Sequence, residues 1–193
     1  MNEKKAFAFT LIELLIVVAI IGILAAIAVS NFINAQVRAK VARGKADMRS
    51  LALAVETYRM DRNKYHPDLA DFMQNNAALV KSSGALCLFY PLTTPIAYMS
   101  SSPITPFGPW QSQGIAGVDF RGYDYENHVI EEFSRQGFFE THYDYALITA
   151  GPTTKFVSLD VTGRSIVGTV YNSSNGVVSS GNIVRYGPGG DKY

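Results

Sequence analysis

From Phe9 to Val29 the chain is almost wholly apolar, "FTLIELLIVVAIIGILAAIAV", with a single carboxylate, Glu13, inside the run. As a helix rising 1.5 Å per residue, a run of about 20 residues spans the roughly 30 Å hydrocarbon core of a bilayer. A secretory signal peptide is the competing reading, because "MNEKK" places Lys4 and Lys5 before the apolar region and "ILAAIAVS" offers small residues at its far end. The apolar region is too long for that, and the carboxylate argues against it. A charge near the middle of a membrane helix costs about 2.5–3.5 kcal/mol on insertion scales, so it points to a function with a partner. Close to the helix start, the positive end of the macrodipole and snorkelling to the headgroups lower that cost.

Beyond Val29 the helical pattern continues. Val37, Val41, Gly44, Met48, Leu51, Val55 and Tyr58 recur at alternating steps of four and three residues, a continuous apolar stripe. Arg38, Lys40, Arg43, Lys45, Asp47, Arg49, Glu56 and Arg59 occupy the other faces, and no proline occurs between Phe9 and Tyr65. The expectation is one helix of about 50 residues, apolar all round in its first half and amphipathic in its second, ending near "MDRNKYHPD" at turn residues and Pro67. Packing of the stripe on the chain's own domain is preferred to a coiled-coil partner.

After Pro67, "DLADFMQNNAALV" reads as a short helix and the proline-rich "YPLTTPIAYMSSSPITPFGPW" as an irregular loop wrapping the domain surface. "GYDYEN", "HYDYALITA", "KFVSLDV" and "RSIVGTVY" have the alternation and the β-branched and aromatic content of a small antiparallel sheet. Asn175-Gly176 is a two-residue turn signal ahead of a weak final strand and a mobile end. The whole is α+β: one long N-terminal helix packed on a small antiparallel sheet. Its 193 residues and 48% hydrophobic content suit one domain core and one membrane segment. Seventeen Lys and Arg against sixteen Asp and Glu leave a net charge of +1, which gives no argument for nucleic acid or another polyanion as partner. The only cysteine, Cys87, cannot form an intramolecular disulfide.

"AFTLIELLIVVAIIGILAAIAVSNF" resembles the N-terminal segment of type IV pilins and of the pseudopilins of type II secretion, in residue types, order and placement of Glu13. Less specifically, "AKVARGKADMRSLALAVETYRMDRNKYHPD", "PLTTPIAYMSSSPITPFG" and "NGVVSSGNIVRYG" are similar to the soluble part of the major, G-type pseudopilin. The resemblance implies a leader at 1–8, a transmembrane segment at 9–29, an amphipathic continuation at 30–64 and a soluble domain at 65–193. A prepilin peptidase would cut on the cytoplasmic side between Ala8 and Phe9, then methylate the new Phe9 amine. Glu13 would pair with the Phe9 ammonium of a neighbouring subunit during assembly. The chain departs from the family at Ala8, usually glycine, and at Ser30, commonly a proline whose absence makes melting of the helix around Gly22 less expected.

The implied product is a structural subunit of a helical filament, a periplasmic pseudopilus of type II secretion. Its partners would be further copies, other pseudopilins, the peptidase, an inner-membrane assembly platform and membrane lipid. The alternatives are a type IV pilus subunit, whose relatives often staple a C-terminal loop with a cysteine pair, and a membrane-tethered enzyme or binding domain. The resemblance places the N-terminus in the cytoplasm and the soluble domain in the periplasm, anchored by one pass in a bacterial inner membrane. Arg38, Lys40, Arg43 and Lys45 after the span outweigh Lys4 and Lys5 before it, so the positive-inside rule taken alone gives the opposite orientation.

No catalytic residues are assigned. His66, His128 and His142 are scattered, and no nucleophile elbow, phosphate loop or zinc spacing occurs. His142 and Asp144 would share one face of a strand and can be read either as metal ligands or as an exposed polar face. "NSS" at Asn172 fits a glycosylation acceptor, a pattern that recurs by chance. G-type relatives often bind calcium in C-terminal loops, which needs several converging oxygens. Here Asp119, Asp124, Asp160 and Asp191 are dispersed and "AGPTTKF" carries threonines, so no metal is assigned and no cofactor is expected beyond that calcium possibility.

Overall fold

The computed structural model describes residues 9–68, 71, 84–111, 119–127, 143–154, 170–172, 174, 179 and 181–189. The chain divides into two compact units, Met1–Arg38 and Ala39–Tyr193, with the division falling inside one helix. That helix, α1, runs from Leu11 to Arg62, 52 residues, as the unbroken pattern and the lack of proline predict. It ends where Asn63 turns to φ 54°, the left-handed conformation that asparagine tolerates better than most residues and that stops a helix. Arg59 and Arg62 lie in its last turn, against the negative end of the macrodipole.

Within the second unit, α1 buries Val41, Gly44, Met48, Leu51, Ala52, Ala54 and Val55. These include every member of the expected stripe from Val41 to Val55, while Val37 and Tyr58 at its ends are half-buried. Side chains as deeply enclosed as Met48, Leu51 and Val55 each contribute about 1.5–3 kcal/mol through burial. Asp47, on the flank of the stripe, accepts a hydrogen bond from the Tyr123 hydroxyl at 2.9 Å and ties the helix to the segment that leads into the sheet.

The sheet is antiparallel in the order β3-β4-β5, with β3 at Asp124–Asn127, β4 at Tyr145–Thr149 and β5 at Ile183–Gly187. A separate two-stranded ribbon pairs β1, Trp110–Gln111, with β2, Asp119–Phe120. In register, Tyr125 faces Leu147 and Glu126 faces Ala146, while Ala146 in turn faces Tyr186. All five residues of β4 are buried, which accounts for its sequence, Tyr-Ala-Leu-Ile-Thr, without a charge. Its threonine hydroxyl, on Thr149, hydrogen-bonds the Thr105 hydroxyl at 2.6 Å. One face of the sheet carries the cluster Ala146, Ile148, Val184 and Tyr186, with Tyr143 stacked on Tyr186 at 4.8 Å. The other face carries Tyr125 and Tyr145, which meet His66, Tyr65 and Phe89 in an aromatic core beyond the end of α1.

Two expectations are corrected. The final strand is not weak: β5 pairs with β4 along five residues and buries four of its own, and residues 190–193 after it lie outside the described residues. Its sequence, IVRYG, is too short to signal by alternation, and pairing with a central strand is what stabilises it. Nor does the proline-rich segment merely wrap the surface. Its first three residues, Tyr90 to Leu92, complete a 3-10 helix, Gly84–Leu92, and it buries Leu92, Thr105 and Phe107 in the core. The Leu92 carbonyl accepts from the Tyr98 and Met99 amides, so backbone polarity is satisfied inside a turn. Of the short helix expected at "DLADFMQNNAALV" only Asp68 and Asp71 are described, the backbone N–H of each donating to the carboxylate of the other, and the strand "KFVSLDV" and the turn Asn175-Gly176 fall outside the described residues. Of "RSIVGTVY", Val170 and Tyr171 are described, and Val170 forms a single bridge to Asn182.

Candidate functional site

The first unit presents its apolar side chains outward. Every large apolar residue from Phe9 to Ile33 is exposed, Phe9 by 71%, and nothing lies within 4 Å of where a Gly22 side chain would begin. By length and composition α1 suffices to cross a membrane, with a mean hydropathy of 3.0 over its most apolar window. A surface of this kind is stable in water only when covered by lipid or by other protein.

Glu13 stands in the first turn of this helix. Thr10 precedes α1 as its cap. Its hydroxyl donates to Glu13 Oε2 at 2.6 Å, its backbone N–H donates to the same oxygen at 2.9 Å, and the Glu13 backbone N–H donates to the Thr10 hydroxyl at 3.3 Å. This is a capping box, in which a threonine and a glutamate three residues on satisfy backbone donors that the helix start leaves open. The lone carboxylate therefore has a local partner as well as the favourable end of the macrodipole. Among the described residues its other oxygen, Oε1, accepts no hydrogen bond, which leaves Glu13 able to receive a second donor. Sequence reasoning passed over Thr10, although Thr-x-x-Glu ahead of an apolar run is itself the signal. Phe9 is exposed beside this cap, and Ala8 lies outside the described residues.

Among its described residues the second unit offers no comparable arrangement. Among the described residues no group of three or more His, Cys, Asp or Glu side chains has metal-binding geometry. Asp144 is engaged within the fold: it accepts the Tyr65 hydroxyl at 3.1 Å and stands 3.9 Å from the Arg59 guanidinium. His142, the other half of the pair considered above, lies outside the described residues, as do His128, Asp160 and Asp191. For Asp119 only the backbone is described, in β2. Asn172 accepts hydrogen bonds from the backbone and hydroxyl of Ser174. Cys87 is buried, and burial pushes its thiol up, away from the reactive thiolate.

His66 is fully enclosed. Its ring stacks on Tyr125 with centroids 3.9 Å apart, Nδ1 lies 3.0 Å from the Pro67 carbonyl, and Nε2 has no partner among the described residues. Burial holds its imidazole down at about 4. Asp124 and Glu126 of β3 are both raised, by desolvation first; the Tyr125 backbone N–H opposes this at Asp124 and the charge of Asp68 adds to it, while at Glu126 the charges of Asp124 and Asp68 add to it. A groove of about 580 Å³ at the end of α1 is lined by residues that include Arg59, Lys64, Tyr65 and Asp144. The Arg59 guanidinium rests 4.8 Å from the centre of the Tyr65 ring.

Residues 4–29 match the family model described as the prokaryotic N-terminal methylation motif. The type IV major pilin protein PilA of Myxococcus xanthus is 51% identical over 57 residues, 30% of this chain and 26% of that protein. The type II secretion system core protein G of Pseudomonas aeruginosa is 32% identical over 119 residues, 58% of this chain and 75% of that protein. The type IV major fimbrial protein FimA of Dichelobacter nodosus is 42% identical over 77 residues, 40% of this chain and 47% of that protein. No solved structure matches the chain. A long apolar N-terminal helix, a small antiparallel sheet, the methylation motif and the match across three quarters of a protein G together place this chain in the family of type IV pilin-like structural subunits.

Proposed function

We propose that the chain is a subunit of a periplasmic pseudopilus of type II protein secretion. The observation that carries this reading is the extent of similarity. The match to protein G runs over 119 residues, whereas the match to the Myxococcus pilin is stronger but runs over 57. Cys87 as the only cysteine agrees, since it supplies no disulfide-stapled C-terminal loop. The higher identity to the pilin favours the second reading, a type IV pilus subunit.

In this proposal a prepilin peptidase cuts between Ala8 and Phe9 and methylates the Phe9 amine. The leader 1–8 is lost, 9–29 stays in the inner membrane, 30–64 leads out of it and 65–193 folds in the periplasm. Cleavage creates an ammonium at Phe9 where none existed. Glu13 Oε2 is already held by Thr10, so the ammonium of an adjacent subunit meets Oε1. The carboxylate then neutralises a charge that would otherwise be stranded among apolar helices, where an unpaired charge is strongly disfavoured. The exposed apolar surface from Phe9 to Ile33 passes from lipid contact to contact with other helices, a change driven by close packing rather than by escape from water. The role is mechanical: subunits added at an inner-membrane platform lengthen a filament that moves cargo outward.

The test is deletion in the native bacterium with complementation. Periplasmic accumulation of secreted proteins, corrected by the wild-type gene and not by Glu13→Ala, is expected, and the membrane-extracted chain should begin at methylated Phe9 by mass spectrometry. Normal secretion with loss of surface fimbriae would select the pilus reading. A chain beginning at Met1 or near Ser30 would refute the processing.

A further inference from the structure

We propose that Asn172 is an acceptor for N-linked glycosylation, taking an oligosaccharide from a lipid-linked pyrophosphate donor through its side-chain amide. The proposal rests on the periplasmic placement of 65–193 given above and not on which filament the chain enters.

Of all the asparagines in the chain, only Asn172 begins the pattern Asn-x-Ser/Thr without proline at the middle position. A pattern of three residues recurs by chance, but chance does not choose its place in the fold. Asn172 and Ser174 are both exposed. A glycan is bulky and hydrated, so only a side chain that already stands in solvent can carry one. The backbone beneath is held. Tyr171, one residue earlier, is buried and donates its N–H to the Asn182 carbonyl at 2.8 Å, and the Asn172 N–H donates to the hydroxyl of buried Ser179 at 3.2 Å. Val170 bridges to Asn182 as well. Asn172 is thus a solvent-facing residue on a pinned stretch of chain, where an added sugar displaces no core contact.

The amide itself is arranged for the reaction. Its Oδ1 accepts from the Ser174 backbone N–H at 2.9 Å and from the Ser174 hydroxyl at 2.7 Å. A backbone N–H can only donate, so the atom it meets is the oxygen and the other is the nitrogen. Among the described residues that nitrogen, Nδ2, makes no hydrogen bond. Asn127, by contrast, spends its Nδ2 on the His66 carbonyl at 3.4 Å. The hydroxyl that the pattern requires two places on is therefore the group that holds the amide oxygen and leaves the nitrogen open.

In the transfer, Nδ2 attacks the anomeric carbon of the donor sugar. The new C–N bond forms as the C–O bond to pyrophosphate breaks, the lipid pyrophosphate leaves with the electron pair, and the proton lost from Nδ2 passes to a base of the transferase. An amide nitrogen is a weak nucleophile because its lone pair is shared with the carbonyl. As the proton departs, negative charge gathers on Oδ1, where two donors already aimed at that atom stabilise it. A donor carried by a lipid and an acceptor chain anchored through 9–29 share one membrane, which raises the effective concentration of each for the other.

The experiment is mass spectrometry of the full chain extracted from membranes of the native bacterium, with electron-transfer fragmentation to locate the modified residue. Wild type should carry one or more sugar residues on Asn172. Asn172→Gln should lose them completely, and so should Ser174→Ala, in which the acceptor side chain is intact. Ser174→Thr keeps the hydroxyl and should keep the sugar, a rescue that damage to the fold does not give. Near-ultraviolet circular dichroism should be the same for all four chains. Bare Asn172 in the wild type overturns the proposal, and so does sugar that survives in Asn172→Gln or in Ser174→Ala. Protease added to spheroplasts separates the two ways of failing. A digested soluble domain with bare Asn172 refutes the acceptor alone, whereas a protected domain refutes the periplasmic placement and the acceptor with it.

Discussion

His66→Phe tests whether the domain core is pH-sensitive through one side chain. In the fold the His66 ring is wholly buried against Tyr125, with Tyr58 and Phe89 at its edges, and burial lowers its imidazole to about 4. Unfolded, the same group titrates at its ordinary 6.5. The unfolded chain therefore takes up a proton first as pH falls. Stability is fully present above about 6.5, declines as pH drops toward about 4, and is no longer lost below that. The gap between the two values corresponds to about 3 kcal/mol. Asp124 and Glu126 act in the opposite sense: their folded values are raised, so they favour the fold at low pH and oppose it as pH rises. They are common to both proteins, and the difference between wild type and variant isolates the histidine. Phenylalanine keeps the aromatic contacts and removes the partnerless Nε2, at the loss of one hydrogen bond to the Pro67 carbonyl, about 1 kcal/mol. Urea unfolding of the detergent-solubilised full chain, followed by near-ultraviolet circular dichroism between pH 4 and pH 7.5, measures both profiles. The variant should gain on wild type by about 3 kcal/mol from the upper to the lower end of that range. Parallel profiles would falsify the assignment of a buried neutral imidazole.

Three further outcomes are expected. Thr10→Ala removes the hydroxyl half of the capping box and should cost about 1 kcal/mol at the helix start; faster amide exchange at Glu13 and Leu14, with protection at Leu51 unchanged, is the readout. Gly187→Ala drives a methyl group into the ring of Tyr145, which is buried on all sides, and should lower stability by about 1–3 kcal/mol in urea titration; unchanged stability contradicts the β4–β5 register. Thr154 holds φ at 56°, which a β-branched residue adopts only under strain, so Thr154→Gly should raise the melting temperature, with a gain of about 1 kcal/mol.

The helix was legible because its evidence is local. An apolar run long enough to cross a bilayer, then a stripe at steps of four and three, states where α1 lies and which side of its second half turns inward. The structure buries that stripe from Val41 to Val55. The capping box is equally local, since Thr10 and Glu13 are three residues apart and Thr-x-x-Glu ahead of an apolar run marks a helix start. Methylation-motif residues too are contiguous, which is why the resemblance was specific there and diffuse beyond.

What the sequence determined by itself is therefore the long apolar helix, its amphipathic continuation and the family, all properties of neighbouring residues and of the 3.6-residue period. Only the tertiary structure decided that IVRYG is a core strand, that the proline-rich segment buries Leu92 and Phe107, and that Asp144 binds Tyr65 and Arg59. These depend on contacts between residues far apart in the chain. The partner of Asp144 comes 79 positions earlier, at Tyr65, and no local pattern records a pairing that exists only once the chain has folded back on itself.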